Sequence, residues 1–173
     1  MELGDVAAVY STDLLRGALP ALDLYRKIVS RVSQEESLKH PVLYCETRLL
    51  RERDMGELEG KHYEELNCDN VGTVGKYLYR LSDIPGGESL AAVGHRAELI
   101  SKKLRQLERD SSETIVVPVI THGCFKNYLI TACEQYSGFD ISRLSLYRVS
   151  GNLAGFQVRC KNQRVEEILP FPR

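Results

Sequence analysis

Thr114-Ile115-Val116-Val117-Pro118-Val119-Ile120-Thr121-His122-Gly123 is the stretch whose reading decides the fold. An apolar run ends in a histidine and a glycine, and residues 124–135 follow with helical character. In an α/β protein this places an imidazole at the carboxyl end of a buried strand, where such sheets bind ligands. Gly123 lets the backbone turn tightly into the helix. The free N–H groups of that helix form an anion site beside the imidazole. A second reading stays open, a core histidine that ends an ordinary strand.

Working outward, residues 7–10 form a short apolar run ending in Ser11-Thr12-Asp13, a strand followed by a helix cap. Leu14, Leu15, Ala18, Leu22, Tyr25, Ile28, Val29 and Val32 then have helical spacing. Gly17 and Pro20 go against that helix, and the proline removes a hydrogen bond and kinks it. Residues 41–45 read as a second strand, and the charged, glycine-punctuated residues 51–60 as a loop. Residues 62–79 read as a short helix with an insertion. Pro85-Gly86-Gly87-Glu88-Ser89 is a turn that opens a long helix with Leu90, Val93, Ala97, Ile100, Leu104 and Leu107 on its apolar face. The Lys and Arg residues of that helix read as a solvated face. Residues 143–149 and 153–160 alternate like paired strands around Ser150-Gly151-Asn152, and residues 165–171 suit a terminal strand. Strands alternating with helices predict one α/β domain with a largely parallel sheet.

The chain has 173 residues, enough for one domain with a real core. A formal net charge of -1 argues against nucleic acid or an anionic membrane surface as partner. No apolar run is long enough to cross a bilayer, and residues 1–5 lack the basic and apolar regions of a signal peptide. Cys45, Cys68, Cys124, Cys133 and Cys160 are odd in number and show no C-x-x-C spacing. They read as free thiols in a reducing compartment, which points to the cytoplasm. Cys124 is either a small buried hydrophobe or an oxidation-sensitive thiol beside the site.

Three segments each deliver a charged group just beyond a predicted strand. Arg16 follows the first, Glu52 the second and His122 the third. With parallel strands all three reach one rim of the sheet. An arginine, a cationic histidine and a carboxylic acid around a helix N-terminus suit a phosphate ester. The guanidinium grips phosphate oxygens, the imidazolium stabilises charge and the acid protonates the leaving oxygen. Arg16 also reads as a plain surface residue, and Glu52 as a surface partner of Arg48, Arg51 and Arg53.

Four segments, in one order along the chain, resemble the histidine phosphatase superfamily in its phosphoglycerate-mutase-like branch. Tyr10-Ser11-Thr12-Asp13-Leu14-Leu15-Arg16-Gly17-Ala18 is similar to its Ser-Ser-Asp-Leu-x-Arg-Ala stretch. Residues 50–60 are similar to its Leu-x-Glu-x-x-Phe-Gly-x-x-Glu-Gly loop. Gly86-Gly87-Glu88-Ser89 matches its Gly-Gly-Glu-Ser turn, and Thr121-His122-Gly123 matches the strand end with its second catalytic histidine. The Arg-Leu-Leu-Arg-Glu-Arg run most resembles the fructose-2,6-bisphosphatase-like regulators of glycolysis. The resemblance implies a three-layer α/β sandwich, a mostly parallel sheet flanked by helices. It implies a phosphatase for a small phosphorylated metabolite, acting through a phosphohistidine, with no metal or other cofactor. Arg16 and Gly123 are implied as phosphate-binding, Glu52 as acid and then base, and His122 as stabilising the phosphoryl oxygens. Arg53 and Asn127 are implied as contacts to the rest of the substrate.

The departures matter as much. The histidines are His40, His62, His95 and His122, and none sits in an Arg-His-Gly motif. None is placed to be the family's nucleophile. The expectation is a single domain over residues 1–173 that is N-terminally incomplete, lacks the family's first central strand and is inactive as it stands. The alternative is a pseudophosphatase that binds a phosphorylated ligand or a partner. Met55 in place of an aromatic residue, Leu19-Pro20 in place of Gln-Thr and Asn127 in place of arginine argue against a phosphoglycerate mutase. They favour an open phosphatase pocket.

Overall fold

In a computed structural model of the chain, strand β1 (Ala8–Thr12) lies between β2 (Leu43–Thr47) and β3 (Val119–Ile120). The residues described are 6–34, 41–62, 65, 84–110, 115–135, 156–161 and 164–170. Both pairings are parallel, with register Ala8↔Leu43 to Thr12↔Thr47 on one side and Tyr10↔Val119 and Ser11↔Ile120 on the other. Parallel neighbours need a crossover. Helix α1 (Leu15–Gln34) lies between β1 and β2, and α2 (Leu90–Asp110) between β2 and β3. Helix α3 (Gly123–Glu134) leaves the end of β3. All three carboxyl ends therefore meet at one edge, and the site forms there.

Alternation along the strands sends side chains to both faces. Val9 packs with Ala21, Ile28 and Val32 of α1 on one face. Tyr10 and Val119 pack on the other, against Phe125, Tyr128 and Leu129 of α3 and Val93, Ala97 and Ile100 of α2. A parallel sheet with helices on both faces is the fold that the alternating elements predict. Each fully buried aliphatic or aromatic side chain contributes roughly 1.5–3 kcal/mol to holding it.

Two expectations change. The run before His122 is not one long buried strand. Only Val119–Ile120 pairs as a strand, Val116 makes an isolated bridge to Val6, and residues 115–120 are half-exposed. Pro118 is the reason, because it has no N–H for a ladder; its carbonyl still accepts from Tyr10 N at 2.9 Å. Among the described residues this strand pairs with β1 alone, which accounts for the exposure. Helix α1 contains Pro20, as the helical spacing predicts. The strand expected over residues 153–160 appears as β4 (Phe156–Lys161), antiparallel to β5 (Arg164–Pro170), with an irregularity between Arg159 and Cys160. Its expected partner at 143–149, and most of the insertion at 62–79, lie outside the described residues. Cys45, Cys124 and Cys133 carry free thiols. Among the described residues no helix is long and apolar enough to cross a membrane.

Candidate functional site

His122 is the N-cap of α3 and is 9% exposed. Its Nδ1 accepts a hydrogen bond from Arg16 Nε at 3.1 Å. A ring nitrogen that accepts carries no proton, so the proton sits on Nε2. That nitrogen then donates to Thr12 Oγ1, 3.2 Å away. Burial first, then the Arg16 charge, lowers the His122 pKa below its ordinary 6.5, and Asp13 opposes the fall. With Nδ1 accepting from Arg16, the imidazole in this arrangement is the neutral form; the cation of the sequence reading belongs to the step in which phosphoryl charge develops. A guanidinium in contact and a buried seat both disfavour a second positive charge.

Thr12 links this pair to α1. It ends β1, and its Oγ1 also accepts from Leu14 N at 3.4 Å. Gly17, two residues into α1, comes against the same threonine. A Cβ added at Gly17 would lie 2.2 Å from Thr12 Cγ2. The glycine that looks wrong for a helix thus lets α1 approach the strand end. Among the described residues the Arg16 guanidinium makes no other hydrogen bond, and the residue is exposed. Among the described residues its Nη fork faces no acceptor, and it suits phosphate oxygens.

Glu52 reaches the rim by an unexpected route. Its Oε1 accepts from Phe125 N at 2.8 Å and from Arg53 N at 3.1 Å, and its Oε2 accepts from Cys124 N at 3.0 Å. The carboxylate therefore caps α3, which otherwise lacks a side-chain cap. A negative group at a helix N-terminus is favourable by about 0.3–1 kcal/mol when exposed and up to about 2 kcal/mol when partly buried. The Cys124 and Phe125 N–H groups expected to hold a ligand anion are thus occupied by the protein's own acid. Gly123 is exposed, has no positive φ, and a Cβ there would meet nothing within 4 Å. The backbone turn does not require a glycine at that place. Thr121 Oγ1 donates to Leu50 O at 2.7 Å and ties the end of β3 to the Glu52 segment.

Arg16, Glu52, His122 and Gly123 thus come together at one edge of the sheet. Arg53 and Asn127 are off the open rim. Arg53 is 1% exposed; its Nε donates to Glu88 O at 2.9 Å and the side chain also bonds Tyr128. Asn127 is 4% exposed, and its buried Oδ1 has no hydrogen-bond partner among the described residues. At the mouth, Asp13 takes a two-pronged bond from Arg51, Nε at 2.7 Å and Nη2 at 2.6 Å, with Arg48 Nε 3.7 Å away. The Arg51 hydrogen bonds pull the Asp13 pKa below the ordinary carboxylate value. Lys126, half-buried, is lowered by burial while the Glu52 charge holds it up. Among the described residues no three His, Cys, Asp or Glu side chains group as a metal ion would need.

Arg96 was not foreseen. It belongs to the helix whose basic residues read as a solvated face, yet its side chain is only 17% exposed. The clue is spacing: it lies three residues after Val93 and four before Ile100, both buried, so it borders the apolar stripe. Its guanidinium pairs with Glu88 at 2.7 and 2.6 Å and stands 4.5 Å above the centre of the Phe125 ring.

The chain's similarities to known proteins agree with this geometry. Residues 4–164 match the histidine phosphatase superfamily (branch 1). No curated protein sequence matches significantly. A mycobacterial glucosyl-3-phosphoglycerate phosphatase solved in complex with VO3 superposes with TM-score 0.59 at 19% identity, covering 97% of this chain and 77% of that one. A mycobacterial hydrolase superposes with TM-score 0.62 at 19% identity, over 98% of this chain and 70% of its own. At such identity these two share the fold. The match over residues 4–164, with a rim of arginine, histidine and glutamate at the strand ends, establishes that the chain belongs to the histidine phosphatase superfamily, branch 1.

Proposed function

We propose that the protein is a phosphomonoesterase for small phosphate esters, sugar bisphosphates among them. The observation that carries this reading is the Arg16–His122 hydrogen bond at 3.1 Å beside an α3 start already capped by Glu52. The ester's phosphate replaces Nδ1 as the acceptor of Arg16, and the Nη fork takes two oxygens. The released imidazole gains a proton and stabilises the phosphoryl oxygens. Glu52, its carboxyl held against the first turn of α3, gives a proton it has taken up to the leaving oxygen as the phosphoryl group passes to a nucleophile, and then draws a proton from the water that releases phosphate. A second anionic group on the substrate finds Arg48, Arg51 and Lys126 nearby. In the family that nucleophile is a histidine of an Arg-His-Gly motif, which carries the phosphoryl group between the two steps; this sequence contains no such motif.

One observation favours a second reading. The histidines are His40, His62, His95 and His122, and none follows an arginine and precedes a glycine. His62 and His95 are exposed. The residues present can bind and stabilise a phosphate without carrying it, as a regulatory phosphate-binding module does. The two readings separate in one pair of measurements. Calorimetry with inorganic phosphate tests the seat, and hydrolysis of an aryl phosphate tests turnover. Binding that Arg16→Ala abolishes, together with turnover, supports the phosphatase. The same binding without turnover supports the module. No binding sinks both.

A further inference from the structure

We propose that Arg96 is the positioning residue for Glu52, the acid–base group of the function just proposed. The inference rests on that function for its purpose but not for its geometry. Arg96 Nη1 donates to Leu49 O at 2.8 Å and to Arg51 O at 3.0 Å, and Nη2 donates to Glu52 O at 3.4 Å. One guanidinium thus holds the backbone that leads into Glu52. The same group lies over the ring of Phe125, whose N–H bonds the Glu52 carboxylate. Arg96 therefore touches both partners of the contact between Glu52 and α3.

The choice of arginine follows from the number of bonds. Five planar N–H donors meet two carboxylate oxygens and three carbonyls, which a lysine ammonium with three donors cannot do. Glu88, 15% exposed at its side chain, fixes the fork from the other side. Its own backbone is tied to the same loop, since Glu88 N donates to Asp54 O and Arg53 Nε donates to Glu88 O, each at 2.9 Å. The Gly-Gly-Glu-Ser turn thereby acquires a purpose beyond starting α2. It supplies the counter-charge that orients the arginine that orients the acid.

The test is NMR of the whole chain. In the wild type, the Cys124 and Phe125 amide signals shift together as Glu52 takes up a proton, and Glu52→Gln abolishes that shared shift. Arg96→Met keeps an apolar stem on Phe125 and removes the fork, but it leaves Glu88 an unpaired charge. Arg96→Met/Glu88→Gln removes both charges and is measured beside it. The expected result in both is loss of the shared shift and exchange of the two amides faster by roughly tenfold or more. The amides of Ile100 and Leu129 stay protected, and Arg96→Lys restores only part of the effect. A folded double variant that keeps the shared shift overturns the proposal. Protection lost equally along α2 and α3 overturns it too, because that is a purely structural role. Failure of phosphate to bind at Arg16 refutes the proposed function alone; the amide signals decide the positioning role separately.

Discussion

Arg16 Nε and His122 Nδ1 lie 3.1 Å apart, and this contact decides which imidazole nitrogen holds the proton. The acceptor is Nδ1, so the proton is on Nε2, turned to Thr12. A protonated His122 has no lone pair left for Arg16. Protonation and this contact exclude each other.

Stability should therefore depend on His122 below neutral pH. Its pKa is lowered in the fold from 6.5 by burial and by Arg16. The unfolded chain binds the proton more readily, so the stabilising contribution is complete above about pH 6.5 and is lost as pH falls through the window below it. Urea melts from pH 7.5 to 5 should show a steeper loss in the wild type than in His122→Gln. Equal slopes would rule the linkage out.

Binding of an anion should carry a proton with it. A dianion that takes Arg16 Nε along with its fork leaves Nδ1 free and favours the imidazolium. Sulfate, which does not itself titrate near neutrality, is the clean probe. Near pH 6.5 its calorimetric enthalpy should vary with the ionisation enthalpy of the buffer, and His122→Gln should remove that variation. A buffer-independent enthalpy in the wild type would contradict the exchange.

Gly17→Ala should act through Thr12. The new methyl would fall 2.2 Å from Thr12 Cγ2. The expected cost is about 1–3 kcal/mol, with weaker sulfate binding as Thr12 leaves His122. Thr12→Ser removes Cγ2 and keeps the hydroxyl. Added to Gly17→Ala, it should recover much of the loss, a coupling of roughly 1 kcal/mol or more in a double-mutant cycle. Additive effects would show that the clash is relieved elsewhere.

Two glycines of the acid loop should respond differently to alanine. Gly56 has φ +50°, and a Cβ there would sit 2.3 Å from Gly87 N and Pro85 O. Gly60 has φ +76° and open space around it. Gly60→Ala should cost only the left-handed backbone penalty of about 1–2 kcal/mol. Gly56→Ala should cost more than that and also disturb the Glu52 contacts with α3. Denaturant midpoints settle the order, and the same loss at both sites would refute the close docking.

The parts legible in the sequence are those set by local pattern. Helical spacing from Leu14 to Val32 and from Leu90 onward places α1 and α2 close to their observed bounds. The apolar run before His122 places the third strand end on the same rim as Arg16 and Glu52. The rest depends on neighbours distant in sequence. Pro118 shortens β3, but the alternation around it does not reveal how much pairing survives. Glu52 sits among arginines that compete for it on paper, yet of the three hydrogen bonds to its carboxylate among the described residues, two come from residues more than seventy positions later. Arg96 looks like one basic residue among several until Glu88 and the carbonyls of the acid loop are seen to converge on it.

The docking of Gly56 into the turn at Pro85 also settles how the mouth can move. Glu57 N donates to Pro85 O at 3.0 Å, and Glu88 N donates to Asp54 O at 2.9 Å. Together with the Arg96 fork, these bonds make the acid loop and the start of α2 one stiff piece. The opposite side of the mouth is Arg16, an exposed side chain that, among the described residues, is held through one bond to His122. The site is a jaw with one fixed plate and one free finger. On the proposed function, the incoming anion would meet the exposed Arg16 side chain first, while Glu52 is already held in place by the α3 amides.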